Sequence, residues 1–397
     1  MQAKLNIGVL TGRLPYPHGM AAVQRIHLLA RAMAEAGIAV NVWVDGLDHW
    51  SVVRNVVPAG TYAGVAFEYL LGKTAASSSK LGRIIDRLRL VCAAGRRIAT
   101  AARKHRLDGL YFNTPMLKLD FERAIVRFHC QRAKVPVVMG LCELPWSANL
   151  SGPSVRKLVS PLYGADGLIY ISRYLERWAQ GEQEKTGKTV RSLYIPILVD
   201  VNEFRPAQLP SVGKKVLFAG SPAYDETLRF LVEAMRMVWA RYPDCELVIT
   251  GGATETTLGP LARSGQGKIR YAGYLKRENL LRAYVESSVL AIPMFNDSRS
   301  KARFPTKLGE YLASGRPVVT NDSGDISCFL QNGRDACVVK PGDAASFGEA
   351  INQILRMPAW GHEIGQRGRL VAERHFHYAR YGPALVQFLS AMRNASN

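Results

Sequence analysis

The stretch RFPTKLGEYLASGRPVV, residues 303–319, joins an apolar helical pattern to a run that reads as a buried strand, and it carries a single acid, Glu310. Lys307 and Glu310 stand three apart and so share one helix face, while Leu308, Tyr311 and Leu312 form the packed side. Pro305 fits the first turn of this helix, where its missing N–H costs nothing. The free N–H groups that follow, including that of Thr306, can then meet an anion. Two readings of Glu310 stay open on spacing alone. It pairs at the surface with Lys307, or it accepts hydrogen bonds from two vicinal hydroxyls such as those of a ribose.

Outward from this stretch the chain alternates strand and helix patterns. LNIGVL, a helix over about 21–36 and AVNVWV open the series, and DGLYF, VPVVMG, GLIYIS and VRSLYIPI continue it to about residue 197. A polar, proline-bearing stretch follows, and a second series begins with KVLFAG and runs through ELVITGG, IRYAGYL, VLAIPMF, RPVVTN and ACVVKP. Alternation of this kind favours parallel pairing. The fold class expected is therefore α/β, with two Rossmann-like doubly wound parallel-sheet domains facing across a cleft. The expected division is 1–200, a linker at 201–213, a second domain at 214–375 and a C-terminal helix at 376–397, whose Leu385, Phe388, Leu389 and Met392 recur at helical spacing.

A chain of 397 residues suits two or three domains, and its composition is that of a packed globular protein. The six cysteines show no CxxC pair and read as reduced core residues. No secretory leader pattern opens the sequence and no apolar run approaches the ~18 residues of a membrane span. A cytoplasmic location is expected, peripheral on the inner face of the plasma membrane if the charge described next meets lipid. The net charge is +20, with 27 Lys and Arg against 14 Asp and Glu in residues 1–200. Residues 79–107 hold nine of those cations and one acid on an amphipathic pattern. Such a segment either packs its apolar side on a sheet or favours an anionic surface. No nucleic-acid motif accompanies the charge, so nucleic acid is not an expected partner.

Two loops follow opening strands and precede helices, the geometry that attracts phosphate. One contains His18 and Gly19, the other Gly220 followed by Ser221 and Asp225, either of which can cap the next helix. A tight turn explains each glycine equally well.

Taken together, FPTKLGEYLASGRPVV, NDSGDISCFLQNGRDACVVKPGD, PYPHGMAAVQRIHLLARAMAEAGIAVNVWV, ADGLIYISRYLERW, IPILVDVNEF, KVLFAGSP and IRYAGYLKRENLLRAYVESSVLAIPMF resemble, in order, the segments of retaining glycosyltransferases of the GT-B fold, family 4 in particular. The resemblance implies transfer of a sugar from a nucleotide-sugar, UDP- or GDP-linked, to a carbohydrate or glycolipid acceptor hydroxyl, with retention and with no metal or other cofactor. It implies a place in bacterial polysaccharide or glycolipid synthesis. Carried over residue by residue, Glu310 binds the donor ribose, Tyr274 and Leu275 meet the base, and Gly19 lies near the donor phosphates and acceptor. Two departures stand out. Ala302 occupies the position of the family's first motif acid, and no basic residue stands between Ser221 and Thr227, where one commonly meets the diphosphate. Arg299, Lys301, Arg303 and Lys307 are the available substitutes, and cations with a helix N-terminus supply what a departing diphosphate needs. Many relatives carry His-Asp chemistry near the end of VPVVMGLCELPW. Here Glu143 takes that place, either assisting the acceptor hydroxyl or serving structure alone, with His18 a further acceptor-side candidate. The Ala302 departure leaves a non-catalytic sugar-nucleotide-binding or scaffold protein as the alternative.

Overall fold

The computed structural model describes residues 4–48, 55–104, 107–113, 121–144, 165–187, 189–204, 213–220, 225–252 and 267–396. The chain forms two compact units, Met1–Leu198 with Tyr378–Asn397, and Val199–His377. Both are built on parallel sheets with helices between the strands, as the alternating pattern requires.

The first unit's sheet has the order β3-β4-β2-β1-β5-β6-β7-β8. In chain order its strands are β1 (Asn6–Leu10), β2 (Ala39–Val44), β3 (Ala59–Tyr62), β4 (Val65–Tyr69), β5 (Gly109–Asn113), β6 (Val137–Leu141), β7 (Gly167–Tyr170) and β8 (Arg191–Tyr194). All pairs are parallel except β3 with β4, a hairpin at the sheet edge whose turn residues Ala63 and Gly64 both have positive φ. The helices are α1 (Ala21–Glu35), α2 (Lys80–Arg103), α3 (Phe121–Arg132) and α4 (Arg173–Thr186). β1, β5, β6 and β7 are almost wholly buried, as strands covered on both faces must be. Leu385, Leu389 and Met392 of the last helix, Gly382–Ser396, join this unit's core, with Phe388 partly buried beside them.

The second unit's sheet has the order β11-β10-β9-β12-β13-β14, all parallel, over β9 (Lys215–Ala219), β10 (Glu246–Thr250), β11 (Ile269–Tyr271), β12 (Val289–Ile292), β13 (Val318–Asn321) and β14 (Cys337–Val339). Its helices are α5 (Asp225–Arg241), α6 (Arg277–Glu286), α7 (Ser298–Ala302), α8 (Thr306–Ala313), α9 (Ile326–Phe329), α10 (Ala344–Arg356) and α11 (Pro358–Val371), and the last helix of the chain is α12. The strand order reverses direction between β9 and β12, the switch point at whose carboxyl side such sheets bind ligands. Of the polar stretch 201–213, Val201–Glu203 form a 3₁₀ turn and Phe204 is buried, stacked on Tyr284. Residues 205–212 lie outside the described residues. The cysteines divide. Cys130, Cys245 and Cys337 are buried, but Cys92 and Cys328 are exposed, so the expectation of six core thiols does not hold for those two.

Candidate functional site

α8 is fixed to the end of β9 by the buried hydroxyl of Tyr311, which accepts the Ala219 N–H at 2.7 Å. Leu308, Tyr311 and Leu312 are fully buried, as the spacing implies. Pro305 is the N-cap residue rather than the first helical one, and its carbonyl accepts the Leu308 N–H at 2.9 Å. Pro305 gives no side-chain cap to this N-terminus.

Glu310 is not a surface ion pair. Its side chain is 8% exposed and receives three donors. Arg277 donates to Oε1 at 2.5 Å, while Tyr284 and Lys307 donate to Oε2 at 2.8 and 2.9 Å. Burial opposes the carboxylate's charge, but Lys307 and Arg277 beside it outweigh that and hold its pKa down at about 2. Burial likewise opposes the charge of Arg277, yet Glu310 and Glu203, which accepts its second terminal nitrogen, keep it firmly protonated. Burial and the neighbouring Glu310 charge push the Tyr284 hydroxyl well up, so it serves only as a donor. Lys307, the site residue expected beside Glu310, is there. Arg277, Tyr284 and Glu203 were not expected. Arg277 and Tyr284 are seven apart on one face of α6, and that polar pair was the signal available.

The neighbouring cations sit on a separate short helix. Asp297 caps α7 through the Ser300 N–H, Arg299 and Lys301 lie on it, and the Arg303 N–H bonds to the Arg299 carbonyl beyond its end. Ala302 is fully buried, so an acid there would lose its water. Tyr274 and Leu275 follow β11 on an exposed loop, with Tyr274 38% accessible. Gly220 directly follows β9 and its N–H donates to the Thr250 carbonyl at 3.0 Å. Ser221 lies outside the described residues, and Asp225 is the first residue of α5.

The first unit holds the remaining candidates. A β-carbon on Gly19 would meet Val23 at 2.5 Å, so close passage over α1 accounts for this glycine. His18 is exposed, its backbone bonded in both directions to the side chain of Asn55 and its ring edge-on to Tyr62. Glu143 is half-buried in the bend after β6 and engaged by neighbours, and residues 145–164 beyond it lie outside the described residues. Arg25, buried on α1, donates to the Pro196 and Ile195 carbonyls at 2.6 and 2.8 Å and ties that helix to the segment after β8. Among the described residues no three His, Cys, Asp or Glu side chains could hold a metal ion.

The basic helix α2 uses its two halves differently. Val91, Ala94, Ile98 and Ala101, from the middle of the helix onward, are buried. Leu81, Ile84, Ile85 and Leu88 in the first half, at the spacing of one helical face, are between 40% and 67% exposed. The apolar side thus packs over half its length only. No helix among the described residues is long and apolar enough to cross a membrane.

The two parallel-sheet units have the GT-B fold, and the proteins that this chain resembles in sequence are glycosyltransferases. Residues 213–357 match the family model described as glycosyl transferases group 1. The chain is 25% identical over 361 residues to a phosphatidyl-myo-inositol mannosyltransferase of Mycolicibacterium smegmatis, covering 86% of this chain and 83% of that one. It is 27% identical over 268 residues to a GDP-mannose-dependent monoacylated alpha-(1-6)-phosphatidylinositol monomannoside mannosyltransferase of Corynebacterium glutamicum, covering 63% and 68% of the two chains. Among solved structures it resembles sucrose-phosphate synthase from Thermosynechococcus elongatus, with TM-score 0.74, 18% identity and 99% and 100% of the chains covered. It also resembles Anabaena HepE in complex with UDP and glucose, with TM-score 0.68, 14% identity and 98% and 100% covered.

Proposed function

We propose that this protein is a retaining glycosyltransferase that moves a sugar from a UDP- or GDP-linked donor to the hydroxyl of a lipid-borne acceptor. The observation that carries the reading is the buried Glu310 carboxylate, gripped by Lys307, Arg277 and Tyr284 beside the start of α8. Oε2 already accepts two donors, which fills its two lone pairs, whereas Oε1 accepts one. The open Oε1 lone pair accepts one ribose hydroxyl, and movement of Lys307 toward the diphosphate on donor binding releases an Oε2 lone pair for the second. Lys307, Arg303 and the α8 N-terminus then stabilise the negative charge that develops as the nucleoside diphosphate departs. Arg299 and Lys301 add to the local positive potential. The Tyr274–Leu275 backbone meets the base and Gly220 leaves room for the phosphates. In the first unit Glu143 serves the acceptor hydroxyl and His18 orients the acceptor. The sequence resemblance supports retention, and product anomeric configuration by NMR checks it.

A thermal-shift series with UDP, GDP, ADP and CMP and their sugar conjugates, without added metal, tests the donor reading. The expected result is stabilisation by one nucleotide family, about 3 kcal/mol at 100 times Kd, and loss of most of that gain in Lys307→Ala. Stabilisation by none would remove the proposed donor.

The lipid-borne acceptor rests on α2. An exposed Leu81, Ile84, Ile85 and Leu88 stripe flanked by Lys80, Arg83, Arg87 and Arg89 matches an anionic bilayer surface. The two mannosyltransferase relatives are named for phosphatidylinositol-based acceptors. Sedimentation with phosphatidylglycerol-containing vesicles is expected to capture the protein and to weaken at least about tenfold from low to ~0.5 M salt. Ile84→Asp with Leu88→Asp should abolish capture without unfolding the chain, since both side chains are exposed. Absence of wild-type capture would reject the membrane surface.

A further inference from the structure

The second sheet carries a cavity at its other end. Lys214, Asp244, Ser288 and Arg316 directly precede or lie just before β9, β10, β12 and β13, and they line a space of about 300 Å³ together with residues of α10 and α11. Gly220, Gly251 and the loop before α7 follow the carboxyl ends of those strands. A strand of five residues spans roughly 17 Å, so the cavity and the donor-site residues lie at opposite ends of the strands.

Arg316 forms the floor and is 4% exposed. Its Nε donates to the Val285 carbonyl at 2.6 Å, which fixes the plane of the guanidinium. Among the described residues its two terminal nitrogens have no acceptor and no carboxylate pairs with it. A buried guanidinium without a counter-ion is costly, and burial lowers its pKa below the ordinary arginine value. His362 on α11 also lines the cavity. Ile354 and Leu355 give the cavity an apolar wall. The acid that borders it, Asp244, is already held through both oxygens by Lys214, at 3.1 and 2.8 Å. The uncompensated charge facing the cavity is thus positive. Two parallel N–H groups of one guanidinium match two oxygens of one oxyanion, and the volume suits a small organic molecule.

We propose that this cavity is a binding site for a small organic oxyanion, a carboxylate or a phosphate monoester, held end-on by Arg316 beside the His362 imidazole. Arg316 lies three residues beyond the end of α8, so an occupant would brace the loop that follows the donor-site helix.

Isothermal titration of the purified full chain with benzoate, glucose 6-phosphate and inorganic phosphate tests the site, the three arms separating carboxylate, phosphate ester and free phosphate. At least one probe is expected to bind, with Kd at least tenfold weaker in Arg316→Gln and in His362→Phe. The same probe should bind Lys307→Ala as it binds the wild type, because Lys307 belongs to the donor site. Thermal melts establish that each variant is folded, and His362→Phe keeps the test sound should Arg316→Gln not fold. Binding lost in Lys307→Ala but kept in the two cavity variants would overturn the proposal, as would no binding by any of the three probes.

Discussion

Glu310→Gln is expected to lower the unfolding free energy by about 3 kcal/mol at pH 7 and to weaken nucleotide binding at least tenfold. The amide must point one NH₂ group at Arg277 or at the Lys307 and Tyr284 donors, so at least one buried donor loses its acceptor. Removing one partner of a buried pair costs roughly 3–5 kcal/mol, because the remaining charge stays desolvated. Arg277 keeps only Glu203, which lies nearer solvent. The pH dependence gives an independent reading of the same group. Its folded pKa of about 2 lies below the ordinary value of 4.5, and each tenfold change in proton affinity is worth ~1.4 kcal/mol. A depressed carboxylate stabilises the fold above its unfolded pKa and loses that contribution as pH falls through the folded one. The gap between wild type and Glu310→Gln in urea denaturation should therefore be full above about pH 5 and close progressively toward pH 2. A gap that stayed constant over that range would mean the three donors hold the carboxylate no better than water does.

The parts of this molecule visible in its sequence are those encoded locally. The twelve strands of the two series, the helix starting near Ala21 and the Lys307–Glu310 pair all rest on periodicity or short spacing, and all are present. The β3–β4 hairpin leaves little trace in the sequence because β3, AGTY, is an exposed edge strand with no buried alternation to reveal it. Pro305 moved by one position because a proline suits either side of a helix start, and only backbone geometry separates N-cap from first turn. The environment of Glu310 depends on Arg277 and Tyr284, which arrive from α6 across 33 and 26 residues. Tertiary folding alone converts an apparent surface pair into a buried hub. The α2 stripe shows the same limit. Leu81, Ile84, Ile85 and Leu88 continue the apolar periodicity of Val91, Ala94 and Ile98, and nothing in that pattern says which residues find a protein partner.

Gly251→Ala is expected to have an effect of the same size through the backbone. Gly251 directly follows β10 with φ near 140°, a conformation that residues with a β-carbon rarely adopt. A β-carbon there would lie 1.9 Å from the carbonyl oxygen of Gly220, so two strand ends approach as closely as bare backbone allows. Neither side is free to retreat. The Gly251 N–H is bonded to the Gly273 carbonyl at 2.9 Å and the Gly220 N–H to the Thr250 carbonyl at 3.0 Å. Thr250 adds a side-chain bond to the same Gly273 carbonyl at 2.7 Å. Relief of the clash must break part of this stitching or shift Gly220, and strain plus lost bonds sum to about 3–5 kcal/mol. Gly252→Ala is the matched control, because a β-carbon on the adjacent residue meets nothing within 4 Å and should change stability by less than about 0.5 kcal/mol. Because Gly220 is the glycine proposed to face the donor phosphates, whatever Gly251→Ala protein remains folded should also bind nucleotide less tightly. Near-wild-type stability with weakened binding would mean that Gly220 yields while the sheet stands. Loss of stability with unchanged affinity would mean that the crossing serves the fold and that the phosphates are held elsewhere, by Lys307 and the start of α8.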